Sequence, residues 1–182
     1  MNSSAHVTLA LRKFSPRFLK VATFVVAACV LATAQSLPQV HLDAAGLAPR
    51  SIEELTGTTI ARHYALAWRD MAGALESGRA EGLGEEFTGF AKDRLVRRIG
   101  DQNQVGVHVR IVDHGHQLKA VFYSSDGSAM QLLDQAQLEI QTFDGNKLID
   151  TQNVPREYMV LMTPGADRWY VRDLEEVPAK TF

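Results

Sequence analysis

The feature that most constrains the fold is a change of hydrophobic period after Gln104. Upstream of it, apolar residues recur every three or four positions, as in helices; downstream they alternate, as in strands. Glycine-containing turns separate the alternating stretches at residues 113–116, 125–128, 144–146 and 164–167. These turns predict five strands, at residues 105–112, 117–123, 129–143, 147–162 and 168–174. Since a parallel connection needs a crossover of roughly a dozen residues, we expect neighbouring strands to be antiparallel.

Two helices are expected to precede the sheet. Ser51 and Glu54 have the spacing of a capping box, and they predict the start of a long helix that ends at Gly78. Its apolar face is predicted to comprise Ile60, Tyr64, Ala67, Trp68, Met71 and Leu75. A second helix is predicted at about residues 84–100, with a buried side made of Phe87, Phe90, Ala91, Leu95 and Ile99.

The third predicted strand shows the clearest alternation. One face carries Met130, Leu132, Ala136, Leu138 and Ile140, and the other carries Gln131, Gln135, Gln137, Glu139 and Gln141. One face is therefore expected to lie under the helices and the other to face water. Helices followed by long, twisted strands predict an α+β fold, with two helices packed on a strongly bent antiparallel meander that forms a half-open cone. Pro155 predicts a bulge or bend in the fourth strand.

Residues 1–34 have the pattern of an export leader. Four basic side chains and no acidic ones precede an apolar run at residues 21–34, and a small-x-small ending favours cleavage before Gln35. Three other interpretations stay open: an uncleaved anchor helix, lipidation at Cys29, and a mitochondrial transit peptide. Residues 35–50 are predicted to be a linker and 51–182 a single domain. The protein is expected to be exported, periplasmic or extracytoplasmic, with the membrane as a partner during export or through a retained inner-membrane anchor.

Charge and cysteine content narrow the function classes. Without the leader the chain has 15 Lys and Arg against 21 Asp and Glu, a net charge of about -6 with His neutral. This charge argues against nucleic acid as a partner, because such binding gains from a positive field. Cys29 is the only cysteine, so no disulfide can form within the domain.

The pattern of elements resembles the nuclear transport factor 2-like superfamily, also called cystatin-like cones. The resemblance covers residues 51–177 and depends on the first helix with Trp68, the second helix ending near Gly100, the bent meander, and a closing strand with a Trp-x-Val core at Trp169. Within the superfamily, the chain is more similar to membrane-associated accessory domains than to soluble enzymes. The resemblance implies a conical pocket between helix and sheet. It implies no reaction, because this fold hosts isomerases, dehydratases, carriers and interaction modules.

Asp134 is the most informative candidate site residue. It has the apolar parity of its strand, so the pattern predicts a buried carboxylate, whose pKa burial can raise into the range of a general acid or base. Tyr64, Trp68, Arg156 and Tyr158 are predicted to face the same space, forming a candidate ligand pocket. Two alternatives remain: a bulge near Leu133 could turn Asp134 to solvent, or Arg156 could pair with it structurally.

Two clusters of ionisable residues are weaker candidates for a binding site. His108, His114 and His116, with Asp113, lie together along the chain, but no metalloprotease motif accompanies them, and we expect no metal site. Lys92, Arg94, Arg97 and Arg98 form a candidate partner surface for an anionic group or an acidic protein, although interspersed acidic residues also fit a solvated helix face. There is no nucleophile elbow, phosphate loop or dinucleotide fingerprint, so no catalytic residues and no cofactor are predicted.

Three hypotheses follow. The first is a non-catalytic cone domain that binds a protein partner or a small apolar ligand. The second is a small isomerase or dehydratase that uses Asp134 with Tyr64 in a dry pocket. The third is a homodimeric scaffold that associates through the glutamine-rich outer face at Gln131, Gln135, Gln137 and Gln141.

Overall fold

The structure, a computed structural model, describes residues 36–178. The predicted leader, its cleavage site and Cys29 lie outside these residues. Among them, no helix combines the length and apolar composition needed to cross a bilayer. The elements follow in the order β1 (Val40–Asp43), α1 (Glu54–Ser77), a short 3-10 helix (Glu81–Glu85), α2 (Gly89–Val105), β2 (Val107–Tyr123), β3 (Met130–Asp144), β4 (Lys147–Pro164) and β5 (Trp169–Glu176).

The predicted fold class is confirmed. The strands form one curled, unclosed sheet in the order β1-β2-β3-β4-β5, and α1 and α2 pack against it. The sheet is mixed, because β1 pairs in parallel with β2 while all other neighbours are antiparallel. Strand β1 lies in the segment for which the sequence predicted a linker. Its four residues are too few to show a period, yet Val40 and Leu42 pack against the core.

The first two predicted strands are one strand, so the prediction of a hairpin turn at residues 113–116 is wrong. β2 runs unbroken from Val107 to Tyr123, and its pairing with β3 shifts register between Asp113 and His116. The shift is a β-bulge at Gly115, whose φ of 123° lies in the region that favours glycine. A bulge and a hairpin turn use the same residue types, so composition alone does not distinguish them.

Both helices begin later than the sequence predicts. α1 starts at Glu54, and Glu53 precedes it without a side-chain cap, so the capping-box prediction is wrong. α2 starts at Gly89 because the chain before it pairs with β5, where Thr88 N–H donates to the Val171 carbonyl at 3.0 Å. Phe87 is buried in this pairing, but Phe90 is 69% exposed rather than buried.

The alternation of β3 is as predicted, whereas the bulge predicted as one possibility at Pro155 does not occur. Met130, Leu132 and Ala136 are buried, while Gln131, Gln135 and Gln137 are exposed on the convex face. Pro155 pairs with Gln137 in a continuous register, so no bulge occurs there. Strand β5 pairs with β4 only from Tyr158 onward, which leaves Pro155 at a sheet edge, where its missing N–H is tolerated.

Candidate functional site

Four side chains from three elements meet inside the cone. Tyr64 and Trp68 are four residues apart on α1 and therefore share its buried face. Asp134 points inward from β3, as its parity requires, and is 0% exposed. His116 points inward from β2 because the bulge changes which positions of that strand face the interior. Before the bulge the buried positions are odd-numbered, at Val109 and Ile111. After it they are even-numbered, from His116 to Ala120.

Asp134 is the centre of a buried hydrogen-bond network. Its Oδ2 accepts a hydrogen bond of 2.7 Å from the Tyr64 hydroxyl and one of 2.8 Å from His116 Nδ1. The other ring nitrogen of His116, Nε2, donates to Asp113 Oδ2 at 2.8 Å. The side chains of His116 and Asp134 have no solvent exposure, and that of Asp113 is 14% exposed. The network thus connects the bulge to α1 through the sheet.

His116 carries a positive charge at neutral pH. Burial lowers its pKa, but the hydrogen bonds and charges of Asp113 and Asp134 outweigh burial and raise the pKa to about 9. Both ring nitrogens can donate only in the imidazolium form, which matches a carboxylate on each side. Burial, together with the neighbouring negative charge of Asp134, raises the pKa of Tyr64 well above its ordinary value, so its hydroxyl stays a donor.

Trp68 contacts both this network and the open pocket of the cone. Its ring lies 4.5 Å from the His116 ring and 5.4 Å from the Tyr158 ring, centroid to centroid. A pocket of about 260 Å³ begins at Trp68 and has mostly apolar walls, formed by Met71, Ala91, Leu95, Ile111, Leu138, Ile140 and Leu174. Neither Tyr64 nor Asp134 lines it. The pocket and the buried network are therefore adjacent but separate.

The polar lining of the pocket lies near its rim. Arg94, Arg98, Arg156, Tyr158 and Glu176 contribute to it. Burial raises the pKa of Tyr158 to about 12, and the charge of Glu176 adds to this effect, so its phenol is neutral at physiological pH.

The five predicted pocket residues are thus divided between two places. Trp68, Arg156 and Tyr158 line the pocket, whereas Tyr64 and Asp134 form the network behind Trp68. Neither predicted alternative for Asp134 occurs: β3 has no bulge at Leu133, and Arg156 pairs with Glu176 instead.

The members of the two predicted clusters of ionisable residues also lie in different environments. His108 stacks on Phe143 at 5.0 Å, His114 is exposed, and only His116 is buried. No group of three possible metal ligands occurs within residues 36–178. On α2, Arg94 and Arg98 line the pocket, whereas Arg97 does not and Lys92 Nζ lies against Gly84.

A second partly buried pair was not expected from the sequence. His63 Nδ1 lies 2.9 Å from Glu86 Oε2, and Glu86 is only 4% exposed. Burial raises the pKa of Glu86, and the hydrogen bond with His63 opposes that rise. The side chain of His63 is only 14% exposed.

His116 is the member of the network that sequence reasoning missed. A signal for it exists: the alternating apolar residues Val107, Val109 and Ile111 are odd-numbered, whereas Leu118 and Ala120, after Gly115, are even-numbered. A change of parity across a glycine within an otherwise continuous strand indicates a bulge, and a bulge brings an additional residue onto the buried face.

Several solved structures align with this chain at low sequence identity. The intermembrane-space region of the chloroplast protein ARC6 aligns with a TM-score of 0.59 at 15% identity, over 72% of this chain and 100% of that one. A proposed dehydratase of the NTF2-like family from Streptomyces avermitilis aligns with a TM-score of 0.47 at 12% identity, over 68% and 99% of the two chains. A protein from Catenulispora acidiphila aligns with a TM-score of 0.41 at 17% identity, over 66% and 88%.

At these identities the likeness concerns the fold alone. No family model matches the sequence, and no curated protein matches it. The comparisons therefore bear on the architecture of the chain and not on an activity.

Proposed function

We propose that this domain is a non-catalytic binding module whose cone pocket receives a small apolar ligand. The proposal depends on the separation of the buried network from the pocket. The acid–base side chains Tyr64, His116 and Asp134 are buried and hydrogen-bonded to one another. The open pocket of about 260 Å³ is lined mainly by aliphatic side chains. Small-molecule sites are typically concave and mostly apolar, with a few polar groups that orient the ligand.

The volume is suited to a small molecule. At ~30 Å³ per water, the pocket has room for roughly nine water molecules, and a ligand of that size would release them from apolar walls. A folded segment of a protein partner would need more room, although a single apolar side chain of a partner would fit. Binding of a partner protein without binding of any small apolar ligand would therefore count against the proposal.

Isothermal titration calorimetry with octan-1-ol tests the proposal. Ile140→Trp should abolish binding, because Ile140 lines the pocket and the larger ring would fill it. Val121→Trp is the matched control, since Val121 is an exposed position of β2 that does not line the pocket. Equal octanol binding by both variants, each with a native circular dichroism spectrum, would refute the pocket as the binding site.

We also propose that the domain works outside the cytoplasm, where a leader at residues 1–34 would direct it. The leader pattern supports this location. The ARC6 region with the similar fold is itself an intermembrane-space domain. N-terminal sequencing of the protein recovered from cells would distinguish cleavage before Gln35, lipidation at Cys29 and retention of an anchor. An N-terminus at Met1 in a cytoplasmic fraction would refute the proposal.

One observation favours a second candidate function, acid–base catalysis. Asp134 holds Tyr64 and His116 through Oδ2, while its Oδ1 is buried without a hydrogen-bond partner among the described residues. That oxygen could accept a proton if Trp68 moved and admitted a substrate. Turnover of an isomerase or dehydratase substrate that is lost in Asp134→Asn, with the domain still folded, would establish this function and overturn the first.

A further inference from the structure

We propose that the ligand of the cone pocket is an apolar molecule with an anionic group, such as a carboxylate, and that Arg98 binds this group at the rim. The inference rests on the proposed function, because it requires a small ligand in the pocket. It adds the chemical class of that ligand, the residue that selects it and the direction in which the ligand enters.

The three arginines that line the pocket differ in whether they have an ion-pair partner. Arg94 pairs with Asp173 and lies 3.8 Å from Glu175, and Arg156 pairs with Glu176. Arg98 is the third arginine of the lining, and it makes no ion pair with any residue in the range 36–178. Glu176, the one anionic residue of the lining, is paired with Arg156, so Arg98 is the lining cation that remains to meet an anionic ligand.

The position of Arg98 suits it to hold a ligand at the rim. It lies one turn from Arg94 on α2 and extends from an exposed helix position into the pocket lining. Tyr158 also lines the pocket, and its ring packs against Trp68. A guanidinium binds a carboxylate through two parallel hydrogen bonds, which gives orientation as well as affinity.

The walls of the pocket fix the opposite end of the ligand. Met71, Trp68 and Leu138 are buried and line the pocket. Met71 and Leu138 offer no donor or acceptor to an anionic group. The one donor among the three, Trp68 Nε1–H, is a buried atom with almost no accessible surface and has no hydrogen-bond partner among residues 36–178. The ligand would therefore enter with its apolar part directed toward Trp68 and leave its anionic group at Arg98, where solvent access reduces the cost of desolvation.

Octanoate and octan-1-ol form a matched pair of probes, because they have the same chain length and differ in charge. With the protein in the form left by cleavage before Gln35, calorimetry should show that octanoate binds at least roughly tenfold more tightly than octanol at low salt, as expected for one charge-assisted hydrogen-bond pair. The preference should decrease as salt is added, since Arg98 is exposed and screened.

Two neighbouring arginines provide the variant and its control. Arg98→Gln should reduce octanoate binding to the level of octanol and leave octanol binding unchanged. Arg97→Gln removes the same charge from the same helix, but Arg97 does not line the pocket, so the preference should persist.

The possible results separate the inference from the function beneath it. Equal binding of the two probes to the unaltered domain would overturn the inference and leave the binding function intact. A preference that survives Arg98→Gln, or one that Arg97→Gln also removes, would overturn the assignment to Arg98. Binding of neither probe would refute the proposed function itself.

Discussion

Raising the pH from 6 to 9.5 should destabilise the domain through a single buried side chain, His116. Its pKa in the folded state is about 9, against an ordinary value of 6.5. Because the folded state holds the proton more tightly, the stabilising contribution is complete below pH 6.5 and is lost as the pH rises through 9. At 1.36 kcal/mol per pKa unit, the loss over this range is about 3 kcal/mol.

The magnitude follows from the surroundings of the ring. Deprotonation of His116 would leave Asp113 and Asp134 as two carboxylates around a neutral ring that can donate only one hydrogen bond. Tyr64 would still donate to Asp134, because its own pKa is raised well above 10. Keeping the titration below pH 9.5 therefore separates the histidine from the tyrosines.

Urea unfolding followed by circular dichroism, repeated at half-unit pH intervals, measures the effect. The unfolding free energy of the unaltered domain should fall by ~3 kcal/mol between pH 6 and 9.5, whereas that of His116→Gln should vary by less than about 1 kcal/mol. His114→Gln is the control, because His114 is exposed, and its curve should parallel that of the unaltered domain. A His116→Gln curve with the same slope as the unaltered protein would refute the assignment of a charged, doubly bonded imidazole.

Two further substitutions test the network and the bulge. Tyr64→Phe should lower the unfolding free energy by roughly 1–3 kcal/mol, because it removes one of the two donors to the buried Asp134. The control is Tyr170→Phe, which should cost less than about 0.5 kcal/mol, because the Tyr170 hydroxyl bonds to no described residue. Equal losses in the two variants would contradict the role of the Tyr64 hydrogen bond. Gly115→Ala should lower the unfolding free energy by roughly 1–3 kcal/mol, because the φ of Gly115 is 123°. The control Gly100→Ala, at a position on α2 with open space around it, should raise the unfolding free energy by roughly 0.5–1 kcal/mol. Unchanged stability of Gly115→Ala would show that the bulge does not have the described backbone conformation.

Structural features that follow from a repeating residue pattern could be predicted from the sequence, whereas features that depend on a single local contact could not. The face of α1 with Tyr64 and Trp68 and the inward parity of Asp134 follow from periods sustained over many residues. The single parallel strand β1 has four residues, which is too short for any period. The start of α2 depends on pairing with β5, a contact between distant parts of the chain that exposes Phe90 and that local pattern does not encode.

The candidate site shows the same limit. Sequence reasoning named Tyr64 and Asp134 together, and the structure places them in hydrogen-bond contact. It did not find His116, because Asp-His-Gly-His has the composition of a tight turn, and only the tertiary pairing of β2 with β3 distinguishes a turn from a bulge. It also did not anticipate that Trp68 would separate the acid from the pocket.

The second register shift of β2, between Ala120 and Phe122, returns the strand to its original phase, so that Tyr123 is buried again on an odd-numbered position. Only the short stretch between the two shifts is out of phase with the rest of the strand. Any comparison with a distant homologue that aligns this strand without gaps would match interior positions of one protein with solvent-facing positions of the other over that stretch. Each shift adds one residue to β2, so two one-residue gaps in the homologue, near Gly115 and Val121, are needed to bring equivalent side chains into correspondence.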